Sequence, residues 1–238
     1  MGVQTVFQRY EIKYRITRAQ QERLIRAIEP YMQADCYGVH TIRNVYFDTP
    51  DSRLIRRSLE KPLYKEKLRV RSYTTAAADT PVFVELKKKY KGVVHKRRLV
   101  LPEAEAMAVL CDRSAALQSQ IGQEIAYFLD YYRTLRPSMF LSYDRLAYFG
   151  REDPHLRLTF DTNIRWRRDR LRLTEPPDGR LLVPEDTVLM EVKTAGALPL
   201  WLTAILSQEK IYKSSFSKYG TAYLQEVREQ REGTMYVE

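Results

Sequence analysis

The chain has little of what the commonest catalytic and metal chemistries require. It has two cysteines in 238 residues. Cys36 and Cys111 lie far apart, with no CxxC and no histidine at ligand spacing, which leaves zinc and thiol-redox motifs unsupported. His40, His95 and His155 are equally isolated and read as turn or surface residues rather than catalysts. The nine glycines form neither GxxxxGK[ST] nor GxGxxG, so the usual glycine-rich phosphate loops are missing, and there is no GxSxG elbow. The longest apolar stretch, Ala195 to Leu206, is interrupted by Pro199 and is too short to span a bilayer. The first residues hold no apolar signal segment, and Val6 stands where a myristoylation motif would place Ser or Thr. These absences predict a cytoplasmic protein that would reach a membrane only through a membrane-protein partner. No Gly/Ser linker, repeat or low-complexity tract divides the chain, which predicts a single domain over residues 1–238.

Charge is what the chain has in excess. Forty Lys plus Arg against 30 Asp plus Glu give a formal net charge of +10, which favours a polyanionic partner: nucleic acid, a phosphorylated small molecule or an anionic membrane surface. The placement of that charge is more informative than its sum. Glu11-Ile12-Lys13, Glu85-Leu86-Lys87 and Glu191-Val192-Lys193 each set an acid and a base two residues apart in a segment that reads as a strand. Residues i and i+2 share one face of a strand, so both charges point one way and their apolar neighbours the other. One such segment alone reads more simply as a solvated strand face. Lys65, Lys67, Arg69 and Arg71 line one parity of a further strand, however, and Arg145 and Arg157 fall in two more. Charge on one face of six strands points to an interior lumen.

The periodicity predicts strands near 5–16, 40–49, 63–75, 80–90, 92–101, 138–149, 155–166 and 186–195, with a hairpin turn at Lys91-Gly92. Thr17 reads as the N-cap of a helix running to about Ile28 before Pro30. Further helical regions cover about 103–135, broken near Asp112 to Ser114, then 199–208 and 217–230. The expected fold is therefore α+β: a closed antiparallel barrel of eight strands forming a tunnel, with flanking helices. Buried unpaired cations are costly, and a bound polyanion would remove much of that cost. Guanidinium forks suit bidentate phosphate contacts, and a carboxylate among them, Glu191 above all, would suit a divalent cation that bridges phosphate oxygens. Glu11 and Glu85 read as salt-bridge partners of Lys13 and Lys87. Of the 17 tyrosines, Tyr143 is the best candidate to stack on a base, while Tyr10, Tyr14, Tyr46 and Tyr73 read equally well as packing residues.

These residues carry a resemblance. Arg43-Asn44-Val45-Tyr46-Phe47-Asp48-Thr49, Lys67-Leu68-Arg69-Val70-Arg71-Ser72-Tyr73, Phe83-Val84-Glu85-Leu86-Lys87, Ser142-Tyr143-Asp144-Arg145, Arg157-Leu158-Thr159-Phe160-Asp161-Thr162, Met190-Glu191-Val192-Lys193 and Ser215-Phe216-Ser217-Lys218-Tyr219 appear in the order of the VTC domain. This is the polyphosphate polymerase domain of the vacuolar transporter chaperone complex, within the triphosphate tunnel metalloenzymes. The resemblance implies transfer of the γ-phosphate of ATP to a growing polyphosphate chain, with Mn²⁺ or Mg²⁺ required and no nucleic-acid partner. It implies that Lys13, Arg69, Arg71, Lys87, Lys96, Arg145, Arg157 and Lys193 hold phosphates, that Tyr143 stacks on adenine, that Glu191 binds the metal and that Lys218 guides the product. Two departures stand out. Tunnel phosphohydrolases and cyclases begin E-x-E-x-K, whereas this chain has Glu11-x-Lys13-x-Arg15, which favours the polymerase branch over a two-metal triphosphatase. Ser215 stands where fungal polymerases have the first lysine of K-F-S-K. The alternatives are a tunnel hydrolase of triphosphate or nucleoside triphosphate, and a non-catalytic polyphosphate-binding module.

Overall fold

Alternating charge and apolarity along the chain produces one strongly curled sheet with different chemistry on its two faces. The computed structural model describes residues 10–91, 93–113 and 117–235. Its strands are β1 (Tyr10–Thr17), β2 (Met32–Ala34), β3 (His40–Asp48), β4 (Tyr64–Ser72), β5 (Pro81–Tyr90), β6 (Val93–Pro102), β7 (Arg136–Gly150), β8 (Arg157–Arg167), β9 (Arg180–Leu181), β10 (Thr187–Thr194) and β11 (Lys213–Ser214). The helices are α1 (Arg18–Ile28), α2 (Arg53–Leu59), α3 (Glu103–Met107) running into a π-helical turn (Ala108–Asp112), α4 (Gln120–Tyr131), α5 (Leu200–Gln208) and α6 (Lys218–Met235). Among the described residues the sheet runs β11-β1-β10-β8-β7-β3-β4-β5-β6, with β2 joined to β7 and β9 to β8, and all pairs antiparallel.

The closed eight-stranded barrel is therefore corrected. Eight long strands are present, but among the described residues no hydrogen-bonded ladder joins β6 to β1. The free edge of β1 is taken instead by two-residue β11, at Lys13↔Ser214 and Tyr14↔Lys213. The edge strand β6 carries His95, Lys96, Arg97 and Arg98, a basic run that discourages pairing with another strand. The curl is nevertheless tight enough for Lys87 on β5 to reach Glu11 on β1 at 3.4 Å.

The outer face packs under helices in two places. Val45, Leu68, Val84 and Leu86 meet Ala106, Leu110, Ile125 and Phe128 from α3, the π turn and α4. Ile16, Leu158, Val188, Met190 and Val192 meet Leu24 and Ile28 of α1 and Leu202 and Leu206 of α5. Each such side chain contributes roughly 1.5–3 kcal/mol by leaving water. α1 begins where expected: the Thr17 hydroxyl accepts from Gln20 N at 3.2 Å, and Gln20 Oε1 accepts from Thr17 N at 3.0 Å. A third cluster lies on the inner face, where Tyr219 and Ala222 of α6 and Ile55 of α2 pack on Ile42, Tyr46, Met139 and Leu189. One part of the concavity is thus filled by apolar residues, and the charged rows occupy the rest.

The helix α2 has no counterpart in the sequence reading. Its cap comes from outside the local window: Asp48, at the end of β3, accepts from Leu54 N at 2.8 Å and Ile55 N at 3.0 Å. The expected helix over 103–135 is split, with Glu103–Met107 and Gln120–Tyr131 separated by the π turn and a loop that includes Arg113. Tyr90 pairs with Val93 across the expected hairpin, and Lys91 takes φ 45°, the left-handed conformation that two-residue hairpin turns require. Gly92, Ser114 and the predicted strand start at residues 5–9 lie outside the described residues.

Candidate functional site

Register brings the charged residues into rows across the concave face. Glu191 on β10 lies opposite Lys13 on β1 and Thr159 on β8. Glu85 on β5 lies opposite Arg69 on β4 and Arg98 on β6, and the next row holds Lys67, Lys87 and Lys96. Facing residues in an antiparallel pair share a side of the sheet, so all of these enter the same space.

Glu85 anchors one wall. Its carboxylate receives Arg69 at 2.7 Å, Arg98 at 2.6 Å and Lys96 at 2.5 Å, with Arg71 at 3.9 Å. Burial alone would raise its pKa, but these cations hold it well below the usual carboxylate range. Arg69 also donates to the Tyr46 hydroxyl at 3.0 Å, and Arg71 donates to Asn44 Oδ1 at 3.0 Å and the Tyr143 hydroxyl at 3.2 Å. Lys96 is pulled down to about 7 by burial and by Arg69, Arg71 and Arg98, with Glu85 opposing. Glu85 is thus satisfied without Lys87, its expected partner.

The facing wall holds Glu191 and Asp161. Asp161 receives Arg145 at 2.6 and 2.7 Å and Lys218 at 2.5 Å. Glu191 has the looser shell: Lys13 at 3.5 Å, Lys193 at 3.6 Å, Lys218 at 3.8 Å and Arg145 at 3.9 Å. Its carboxyl is nonetheless held well below its ordinary value, because the four cations outweigh burial. Lys193 is lowered to about 8, chiefly by burial. Lys13 also reaches Glu11 at 3.3 Å, as expected, and donates to Phe216 O at 3.1 Å. Against burial and the Glu191 charge, Lys87, Lys13 and Lys193 hold Glu11 down at about 2.

Two expected residues sit differently from the rest. Arg157 is at the rim, 44% exposed, and pairs with Asp35 at 3.6 Å rather than with the central carboxylates. Tyr143 is buried, with the Lys218 ammonium 4.6 Å and the Arg145 guanidinium 5.1 Å from its ring centroid, so cations already cover the ring expected to receive a base. Lys218 itself stands inside the charged wall.

Four contributors went unassigned in the sequence reading: Asp161, Arg98, Ser217 and Lys67. The first two carry the same parity signal as their neighbours Thr159 and Lys96. Lys67 was visible on the charged parity, but its distinguishing feature is spatial. Among the described residues it has no carboxylate partner; it donates to Ser217 Oγ at 3.0 Å and is lowered to about 7 by burial and by Lys87, Lys13 and Lys65.

Among the described residues no group of three or more His, Cys, Asp or Glu is placed to hold a metal. The residues still fit a divalent ion that arrives on a polyphosphate. Such an ion needs one or two carboxylates and takes its remaining oxygens from phosphate and water, and Glu191 is a half-buried carboxylate whose cations all stand at 3.5 Å or more.

The family model for the VTC domain matches residues 8–227. The chain belongs to the VTC domain family. No curated protein matches the sequence. The fold of this VTC domain is shared with a putative adenylate cyclase from Bacillus halodurans, at 18% identity over 90% of this chain and 96% of that one, with a TM-score of 0.57. It is also shared with a putative adenylyl cyclase from Hippeastrum described as having a dominant triphosphatase activity, at 19% identity over 90% and 93% of the two chains and a TM-score of 0.53. A putative adenylate cyclase from Vibrio parahaemolyticus matches at 9% identity over 91% and 98%, with a TM-score of 0.51. At these identities the likeness is one of fold, and it agrees with the triphosphate tunnel superfamily. The rows of this VTC domain bring cations from several strands to one concave face.

Proposed function

We propose that this VTC domain is a polyphosphate polymerase that moves the γ-phosphoryl group of ATP onto the end of a phosphate chain. The observation that carries this reading is the position of Lys13, whose ammonium stands between Glu11 at 3.3 Å and Glu191 at 3.5 Å. A two-metal hydrolase needs anionic ligands there. A cation leaves room for one metal and adds a phosphate contact.

In the proposed step, a terminal oxygen of the acceptor chain attacks the γ-phosphorus. The bond from that phosphorus to the β,γ-bridging oxygen breaks, and ADP leaves with the electron pair. Such a transfer needs alignment and charge neutralisation more than covalent help from the protein. Arg69, Arg71 and Lys96 hold phosphate oxygens from one wall, Lys13, Arg145, Lys193 and Lys218 from the other, and Lys87 from the row between. Their existing ion pairs fix the side chains before substrate enters, which lowers the ordering cost at the moment of reaction. Bound at Glu191, Mn²⁺ or Mg²⁺ would neutralise phosphate oxygens as charge shifts toward ADP.

Incubating the purified protein with ATP and Mn²⁺ and following ³¹P NMR and gels tests the proposal. Growth of an internal-phosphate signal together with ADP is the expected result. Orthophosphate without polymer would replace it with the second reading, hydrolysis, in which water takes the place of the acceptor. The triphosphatase activity described for the Hippeastrum protein of the same fold keeps that reading in view.

A further inference from the structure

The row that holds Lys67 continues into a feature that phosphoryl transfer does not require. On β4 and β5, Lys67 lies directly opposite Lys87, and in the next row Lys65 lies directly opposite Lys89. Like charges facing each other across an antiparallel pair destabilise a sheet, and here two such pairs follow one another on one face. Glu66 does not relieve them. It lies on the opposite parity, where the Tyr64 and Tyr132 hydroxyls donate to it. Glu11, which also pairs with Lys13, reaches Lys87 of the ladder at 3.4 Å, while Lys67 donates to Ser217 Oγ and Lys65 to Ser58 O at 3.2 Å. Lys65 is lowered by burial and by Lys89, Lys13, Lys87 and Lys61. All four ladder lysines are half-buried. The ladder starts one row beyond Glu85 and runs toward the exposed Tyr90 end of the hairpin.

We propose that Lys67, Lys87, Lys65 and Lys89 form a track that carries a linear polyphosphate chain between the phosphoryl-transfer site and solvent. This rests on the polymerase reading and adds where the chain lies. A sheet tolerates such a ladder when an anion with charge at every repeat lies along it, because neutralisation then comes from the ligand. Lysine suits this task better than arginine, since a flexible point charge tolerates many phosphate positions and lets the chain slide. The ladder also explains why Lys218, held by Asp161 at 2.5 Å, is part of the inner wall rather than an exit. A sugar-free chain is favoured over single-stranded nucleic acid because Tyr46 and Tyr143, two of the inner-face tyrosines, are buried and offer bases no stacking platform.

The test compares inorganic triphosphate with long polyphosphate, binding each without ATP to the full chain and to Lys65→Gln/Lys89→Gln. Removing two mutually repelling charges should leave the melting temperature unchanged or higher. The wild type should bind long polyphosphate more tightly than triphosphate. The double variant should lose roughly tenfold in affinity for the long chain, with a salt slope shallower by about one to two, and keep its affinity for triphosphate. Equal losses for both ligands, an undiminished preference for the long chain, or no such preference in the wild type would each overturn the track. So would equal binding of a single-stranded oligothymidylate of matched charge. Polymer synthesis by the wild type, scored separately, decides the polymerase reading, so either can fail without the other.

Discussion

Glu85 and Glu191 each gather four cations from the strands around them, but three of those around Glu85 approach to 2.5–2.7 Å and none around Glu191 comes closer than 3.5 Å. The difference lies in what else the cations hold. Arg69 and Arg98 aim their forks at Glu85, whereas Arg145 and Lys218 give their short contacts to Asp161 and leave Glu191 the long ones. Glu85 thus serves the fold, neutralising arginines that would otherwise repel across β4, β5 and β6. Glu191 stays charged and half-buried but uncommitted, which suits an ion that must bind and leave with each substrate.

Substituting each carboxylate isosterically is the sharpest way to break this contrast. Glu191→Gln is expected to cut metal-dependent turnover by roughly a hundredfold or more while the protein still folds, because Asp161 and Glu11 retain most of its cations. Steady-state kinetics beside a thermal melt checks this. Normal turnover in the variant would remove Glu191 from the site. Lys87→Ala should likewise abolish polymer yield without unfolding the chain.

Glu85→Gln should act the other way round. It leaves Arg69, Arg71, Lys96 and Arg98 facing one another around a neutral amide, and breaking a buried ionic cluster by removing one partner costs about 3–5 kcal/mol. Chemical denaturation should show that loss, and triphosphate should restore part of it by supplying the missing anion. If Glu85→Gln folds as stably as the wild type while Glu191→Gln does not, the assignment of roles is inverted.

How much of this was legible in the sequence depended on whether the signal was local. The parity of Glu11, Lys13, Lys67, Arg69, Glu85, Glu191 and Lys193 is a property of consecutive residues, so the charged face and the helix capped at Thr17 could be read directly. Partner choice was not local. Glu85 joins Arg69 and Arg98, which lie directly opposite it, and Lys96 of the next row, instead of Lys87, its own neighbour at i+2, whose ammonium turns to Glu11 across the curl of the sheet. Sheet closure was illegible for a similar reason. Eight strand patterns suggest a barrel, but the two residues Lys213 and Ser214 that occupy the edge of β1 carry no periodicity. The cap of α2 came from Asp48, beyond any helical window.

Lys67 sharpens the comparison by being a cation with no carboxylate partner among the described residues. Its amine is lowered to about 7 by burial first and then by Lys87, Lys13 and Lys65, against 10.5 for an ordinary lysine. Between those values the unfolded chain binds more protons than the folded one, so the stability of the free protein should rise with pH across that window. A polyanion restores the proton, so triphosphate affinity should fall as pH climbs through about 7, with proton uptake on binding. Melting curves and calorimetry in buffers of different ionisation enthalpy read both effects. Lys67→Met should make both pH dependences shallower without abolishing them, because Lys96 at about 7 and Lys193 at about 8 titrate in the same window, and slopes equal to those of the wild type would show that Lys67 is not among the groups titrating.

The smallest expected effect belongs to Ser217, which links the lysine row to the start of α6. Its hydroxyl accepts from Lys67 at 3.0 Å and from Gly220 N at 3.2 Å, and its carbonyl accepts from Thr221 N at 2.7 Å. Ser217→Ala removes an N-cap and the hydroxyl that accepts from Lys67, at a cost of about 1 kcal/mol in stability. The cap loss is independent of ligand, whereas the lysine contact is replaced once phosphate binds. The variant should therefore melt lower in the free state, and saturating triphosphate should narrow the gap without closing it. A gap that triphosphate leaves untouched would mean that Ser217 serves the helix alone and that the uncommitted charge of Lys67 is held by its other neighbours.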